Sequence, residues 1–519
     1  MMTEKDLING EVDHKFQTLL SNANAARVIS QAIEGTIGPK GLDIMMVDRF
    51  GDVVISNDGV TILKLMEVSH PVARMIINAA KAQQAQVGDG TTTATLLAGA
   101  LVSEGASQVL KGVPVTQVIQ GIEAGTERCL EIIKAQSRFI SSLDDQQLLQ
   151  VAMIAGRGQA ELAELVIAGA KIVGLEKLLS PNFKFCDTVL AREAVESQVF
   201  TGVLINREPL NREMPQSLGN VKIMLLNDAL APEEVDSEAR STENGFQHFL
   251  RNQEQYQHNL NKICELGVKL VLTDRSIDDM AEQIFSDAGI MAIQRVSQQE
   301  MDRVAKNSGA RKIKRSALNK GADALQHYLG FAEKVEVDQK AAHTLLYNGA
   351  GESVATIMIG AATEELVEER ERIARDAAAA VQAALQKGIV PGGGAVEIWA
   401  AQQLDELARQ LKGMSSYGVY CMKEALLKPF HCIANNAGFN PLEKLGDVIA
   451  AQMQTQSGAM GMDCDSGEII NVLEAGIVDP ARVKMYAIQT ATDVTIAILK
   501  INTIIKMMAI DGPQMANLE

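Results

Sequence analysis

Gly88-Asp89-Gly90-Thr91-Thr92-Thr93 is the segment best suited to chemistry. Its glycines let backbone N–H groups crowd into an anion-binding concavity. A helix starting at the threonines would add the positive end of its dipole, and the hydroxyls can donate to phosphate oxygens. Asp89 is unfavourable beside bare phosphate. It suits a bridging Mg2+, a hard ion that prefers oxygen ligands. The same residues equally make a capped turn between helices, because Asp and Thr cap helices in any protein.

Two other carboxylates occupy unusual places. Asp58 lies in the turn Asn57-Asp58-Gly59. Asp376 lies in Arg375-Asp376-Ala377-Ala378, deep in a predicted helix where Asp has poor propensity. In isolation each has an ordinary reading, a turn residue and an exposed Asp beside Arg372 and Arg375. Gly38-Pro39-Lys40-Gly41 and Gly392-Gly393-Gly394 read alone as turn punctuation.

Several chemistries are missing. No Gly-Lys dipeptide occurs, so there is no P-loop, and no G-x-G-x-x-G follows a strand. The seven histidines form no triad or metal spacing. The six cysteines (129, 186, 264, 421, 432 and 464) form no C-x-x-C, which predicts reduced core residues in a cytoplasmic protein.

Periodicity places these residues on elements. It predicts a helix over 17–35, strands at Ile44–Val47 and Val53–Ser56, and a helix over about 71–86. Another helix begins at Thr91. A further one follows Pro114, with Thr116 as its N-cap. After about residue 210, the apolar runs 221–226, 268–273 and 290–296 alternate with helical stretches near 277–287 and 300–307, which argues for an α/β layer. The polar stretch 241–262 carries Phe246, Phe249, Leu250, Tyr256 and Leu260 at helical spacing. It reads either as a helix docked on its own domain or as an arm whose apolar stripe serves a partner. Helices return from Glu364 and dominate to the end, interrupted near 455–482.

Composition sets outer limits. The chain has 519 residues, enough for about three domains. Hydrophobic residues make up 47%, which excludes disorder as the main state. A net charge of −17 argues against nucleic acid as a partner. No apolar run approaches the roughly 20 residues of a membrane span. The opening residues Met1 to Asp6 lack a signal peptide's apolar stretch.

Together these loops resemble one family, the chaperonins. The resemblance rests on Thr36 to Gly41, Asn57-Asp58-Gly59-Val60-Thr61-Ile62-Leu63, His70-Pro71, Gly88 to Thr93, Ile389 to Ala395 and Gly476-Ile477-Val478-Asp479-Pro480, in order and end to end. His70-Pro71 followed by Met75-Ile76, and Ala288-Gly289-Ile290-Met291-Ala292, are similar to the group II, thermosome-like branch. The Gln-rich arm, and a tail without the expected Gly-Met ending, suit a divergent member such as the thermosome-like chaperonins of some bacteria.

The resemblance implies a multidomain α and α/β chaperonin fold. A mainly helical equatorial ATPase domain would span 1–142 and 397–519. An α/β intermediate hinge domain would span 143–211 and 362–396. An α/β apical domain would span 212–361, with a helical lid protrusion at about 241–264. The implied function is ATP-dependent protein folding, in two stacked eightfold rings that enclose non-native polypeptides behind a built-in lid. The implied cofactors are ATP and Mg2+, with no separate co-chaperonin. The alternative is a nucleotide-binding ring scaffold or holdase with little folding activity.

Position by position, Asp89 would hold Mg2+. Gly90, Thr91, Thr92 and Thr93 would bind phosphates, Gly59 would sit beside them, and Ile37, Gly38 and Pro39 would close over the nucleotide. Gly393 and Gly394 would face sugar and base, and Asp479 the ribose. Asp58 and Asp376 would position the attacking water. Arg157, within Gly156-Arg157-Gly158, stands where the group II branch usually has a γ-phosphate-sensing Lys. Phe246, Phe249, Leu250, Tyr256 and Leu260 would contact substrate or form the lid.

Overall fold

The computed structural model describes residues 4–233, 242–339 and 342–505, with the backbone alone at 4–16 and 365. In chain order the first segment holds α1 (Glu4–Ile33), the hairpin strands β1 (Ile44–Val47) and β2 (Val53–Ser56), and α2 (Gly59–Leu65). It continues with α3 (Pro71–Val87), α4 (Thr91–Leu110), α5 (Val115–Gln136) and α6 (Gln146–Ala155). The middle segment begins with α7 (Ala160–Val173) and α8 (Leu175–Leu179), then β3 (Val189–Glu193), β4 (Gln198–Ile205) and β5 (Ser217–Leu226). The arm helix α9 (Glu243–Glu265) follows, then β6 (Leu270–Thr273), α10 (Asp279–Asp287), β7 (Met291–Ile293), α11 (Gln298–Ser308) and α12 (Ala322–Gln326). Strands β8 (Gly330–Asp338), β9 (His343–Gly349) and β10 (Ala355–Ala361) complete it. After α13 (Glu364–Lys387) come β11 (Ile389–Pro391), α14 (Ala395–Gln410), α15 (Ser416–Asn436) and α16 (Pro441–Thr455). The short strands β12 (Met460–Met462), β13 (Ile469–Asn471) and β14 (Val478–Pro480), then α17 (Ala481–Leu499), end the described chain.

The chain divides into two compact units. One joins residues 1–157 to 379–519, and the other is 158–378. The first is helical. α4 is apolar nearly all round, with Leu96, Leu97, Leu101 and Val102 buried, as a central helix must be. It packs against α1, α3, α15 and α17. The close fit of α5 on α15 depends on glycine: a Cβ on Gly121 would lie 1.9 Å from the Ser415 carbonyl oxygen. All six cysteines are free, and Cys129, Cys421 and Cys432 are buried.

The second unit is built on an eight-stranded sheet, ordered β3-β10-β4-β9-β8-β5-β6-β7. β5, β6 and β7 pair in parallel, as do β3 and β10, while the other neighbours are antiparallel. The apolar runs predicted at 221–226, 268–273 and 290–296 are β5, β6 and β7. β6 and β7 are buried throughout and β5 over Ile223–Leu226, as suits parallel strands covered on both faces.

One capping expectation is corrected. The residue before α5 is Pro114, which gives no side-chain cap, so Thr116 lies within the first turn. The Pro114 carbonyl already accepts the Gln117 and Val118 N–H groups, so the helix begins ahead of Thr116.

Candidate functional site

The turn between α3 and α4 is shaped by close approach. Gly88 ends α3 in the left-handed conformation, φ 78°, and a Cβ there would lie 2.3 Å from the Ala379 Cβ. Gly90 is also left-handed, φ 79°, and a Cβ on it would lie 2.5 Å from Val483 Cγ1. Gly90 holds the N-cap position of α4, so no side chain caps that helix. The first amides of a helix have no intrahelical acceptor. An uncapped start flanked by threonines therefore offers donors to an anion.

Asp89 Oδ1 accepts the Gly90 N–H at 2.6 Å. Burial pushes its carboxyl above the ordinary aspartate range. The Gly90 N–H and Lys484 pull it back, and nearby Asp479 and Asp58 push it up further. Gln83 is fully buried and pins the loop from behind. Its Nε2 donates to the Asp89 carbonyl at 2.8 Å and to the Val483 carbonyl at 3.3 Å.

Asp58 does not sit in a free turn. It N-caps α2, accepting from the Thr61 N–H at 2.8 Å and the Thr61 hydroxyl at 2.7 Å. The Ser56 hydroxyl in turn accepts the Asp58 N–H at 3.1 Å. Gly59 then faces the start of α4. A Cβ there would lie 2.6 Å from Thr92 Oγ1 and 3.2 Å from Thr91 Oγ1. Two helix starts thus abut through a glycine, with Asp58 and Asp89 close enough to interact electrostatically.

Two other loops are also held in this unit. Ile37 and Gly38 follow α1, and the Asn436 amide donates to the Ile37 and Glu34 carbonyls at 3.0 and 2.9 Å. Gly38 is left-handed at φ 89°, and Gly38 and Pro39 are exposed. Gly393 and Gly394 turn at φ 63° and 85° between β11 and α14. Pairing of β11 with β14 sets Val390 opposite Asp479, which brings Asp479 to this turn. Asp479 and the buried Glu397 share Lys484, whose Nζ lies 2.9 Å from Asp479 Oδ2 and 2.7 Å from Glu397 Oε1. Nothing in the sequence marks Gln83, Glu397 and Lys484. Their polar side chains sit on helices without a loop motif to mark them.

Arg157 follows α6 in the left-handed region, φ 55°, ahead of Gly158 at φ 75°. Asp376 belongs to the other unit. It is not an exposed residue: Arg372 Nη1 is 3.1 Å away, and the Asp376 side chain is 14% accessible. Arg375 pairs with Asp187 and Glu371 instead. Among the described residues no group of three His, Cys, Asp or Glu side chains is arranged to hold a metal alone.

The arm helix corrects part of the stripe. Thr242 caps it, accepting the Gly245 N–H at 3.1 Å. Tyr256 and Leu260 are buried in this unit's own core with Ile263, Phe285 and Leu318. The Tyr256 hydroxyl donates to Asp278 at 2.6 Å and lies 2.9 Å from the Leu230 carbonyl. They are therefore not available as lid or substrate contacts, because the sheet-side elements cover them. Phe246 and Leu250 are 47% and 39% exposed, and Phe249, half-buried, stacks on Phe246 at 6.5 Å.

The TCP-1/cpn60 chaperonin family matches residues 29–509. A solved group III chaperonin in the open state shares the fold, with a TM-score of 0.88 at 46% identity, covering 95% of this chain and 100% of that one. The thermosome subunit of Pyrococcus abyssi (strain GE5 / Orsay) is 34% identical over 502 residues, 93% of this chain and 90% of that protein. The thermosome subunit of Methanocaldococcus jannaschii is 33% identical over 509 residues, 95% of this chain and 93% of that one. The fold is the chaperonin fold, and the chain belongs to the TCP-1/cpn60 chaperonin family.

Proposed function

We propose that this chain is a subunit of an ATP-driven protein-folding chaperonin. The observation that carries the reading is the meeting of Gly59 with Thr91 and Thr92 at an uncapped helix start. A methyl group there would fill the space between the two helix starts, and anion-binding donors converge on it. The N–H groups and hydroxyls of Thr91, Thr92 and Thr93, with the Gly90 backbone, would hold the phosphates. Ile37, Gly38 and Pro39 would cover them, Gly393 and Gly394 would face sugar and base, and Asp479 would accept from the ribose. Asp89 would hold Mg2+ as a single protein carboxylate, because such ions take only one or two protein carboxylates and the rest of their oxygens from phosphate and water. The metal would supply neutralisation of phosphate charge.

Phosphoryl transfer needs placement more than covalent help. Asp58, fixed by its Thr61 contacts, would orient the attacking water and accept its proton. Asp376 is the second carboxylate of this reading, and Arg157 the γ-phosphate sensor. The domain reading goes with it: equatorial 1–142 and 397–519, intermediate 143–211 and 362–396, apical 212–361. Two stacked eightfold rings in the cytoplasm, enclosing non-native polypeptides behind a lid started by Phe246, Phe249 and Leu250, complete it, with no separate co-chaperonin.

The test is refolding of a chemically denatured model protein, with protease added during the reaction. The reading expects ATP-dependent recovery and a protease-resistant substrate fraction. Capture without ATP-dependent recovery would instead make the protein a holdase.

A further inference from the structure

The least expected group in the helical unit is Lys484. Its side chain is 10% accessible, on the first turn of α17. Buried lysines are costly unless paired and hydrogen-bonded. This one is doubly paired, to Glu397, itself 1% accessible, and to Asp479, which keeps 24% accessibility. Lys484 also acts electrostatically on Asp89, where Asp58 and Asp479 add negative charge. The neighbouring Val483 packs over Gly90, and its carbonyl is held by Gln83.

We propose that Lys484 is a positioning residue of the nucleotide site, and that it sets the geometry of sugar recognition through Asp479. The inference rests on the nucleotide reading above. Lys484 engages Asp479 Oδ2 and anchors to the inaccessible Glu397, which fixes the carboxylate's rotation at the end of the Gly392–Gly394 turn. Only Asp479 of the pair is open enough to meet a ligand hydroxyl. Its ion pair would hold the second oxygen in a fixed direction, so less ordering remains when a hydroxyl binds. An unpaired Asp479 would rotate, and would repel phosphate together with Asp58 and Asp89.

The experiment is calorimetric titration of the assembled protein with ATP and with 2′,3′-dideoxy-ATP, at fixed Mg2+. The variants are Lys484→Met, Lys484→Arg, and the double variant Glu397→Gln with Lys484→Met, which leaves no buried unpaired glutamate. The wild type should prefer ATP by about tenfold, the value of one hydrogen bond to a charged group. Lys484→Met and the double variant should lose most of that preference, while Lys484→Arg keeps it. Thermal melting of each variant separates this from unfolding. A merely structural lysine would lower the melting temperature without changing the sugar preference. A folded double variant that discriminates like the wild type overturns the inference and leaves the nucleotide reading standing. A wild type that binds neither nucleotide overturns both.

Discussion

The loop cluster around Asp89 and the arm helix Glu243–Glu265 reach their contacts in opposite ways. In the cluster, backbone approaches side chain so closely that Gly59, Gly88 and Gly90 have no room for a Cβ. Residue type there is fixed by a local distance. The arm is one continuous amphipathic helix whose surroundings change along its length. Tyr256, Leu260 and Ile263 lie inside the core, whereas Phe246 and Leu250 face solvent. The first region admits no side chain at these three positions. The second is anchored at one end and offers apolar surface at the other, and exposed apolar area mostly marks contacts.

The largest expected effect is chemical. Asp58→Ala and Asp376→Ala should each lower ATP turnover by about 100-fold or more, as loss of a water-orienting base does. ATP binding should stay close to wild type, because neither carboxylate is assigned to affinity. Steady-state turnover beside calorimetric binding checks this. A near-normal rate in the Asp376→Ala protein would remove that residue from the reaction.

Next comes the anchored end of the arm. Leu260→Ala should cost about 2–5 kcal/mol, as buried Leu truncations do. Phe246→Ala and Leu250→Ala should stay within about 0.5 kcal/mol while weakening capture of unfolded protein. Denaturant unfolding monitored on the arm-bearing unit separates the two halves. Equal costs along the helix would erase the distinction. Deleting 242–262 whole is a poor probe, because it removes Tyr256 and Leu260 from the core along with the exposed rings.

A smaller effect of mixed sign belongs to Asp89. Burial raises its carboxyl, so ionisation costs stability in the folded state. That cost is absent below the ordinary aspartate value, grows as pH rises toward the raised folded value, and is constant above it. Asp89→Asn should therefore melt higher than the wild type at neutral pH without nucleotide, with the gain vanishing in acid. Its Mg2+-dependent ATP affinity should fall by about tenfold. Melting curves at several pH values, with a Mg2+ titration, test both signs together.

The same contrast explains what the sequence disclosed. Glycine and cap positions carry their geometry locally, so the 88–93 turn, the β1–β2 hairpin and the starts of α3 and α4 were legible. Strands β5, β6 and β7 were legible as apolar runs. Strands β3, β4, β8 and β9 carry no comparable continuous apolar signal. β8, for instance, buries Gly330, Ala332 and Val335 because that face packs into the core with Met301 and Val304 of α11, while Phe331, Glu333 and Lys334 stay exposed. Burial of Lys484, Glu397 and Gln83 is likewise non-local. Each looks like a surface helix residue until α17, α14 and α3 come together. The stripe on α9 was readable as a pattern, and its division was not, since only the packed core decides which turns are covered.

The Gly59–Thr92 meeting of helix starts is the proposed nucleotide-hydrolysing site. Steady-state ATP hydrolysis by the wild type and Gly59→Ala, with and without Mg2+, tests it most directly. The added methyl would lie 2.6 Å from Thr92 Oγ1 and 3.2 Å from Thr91 Oγ1. The wild type should hydrolyse ATP in a Mg2+-dependent way, and a Gly59→Ala protein that still folds should not. Hydrolysis absent from the wild type, or unchanged in folded Gly59→Ala, would contradict it.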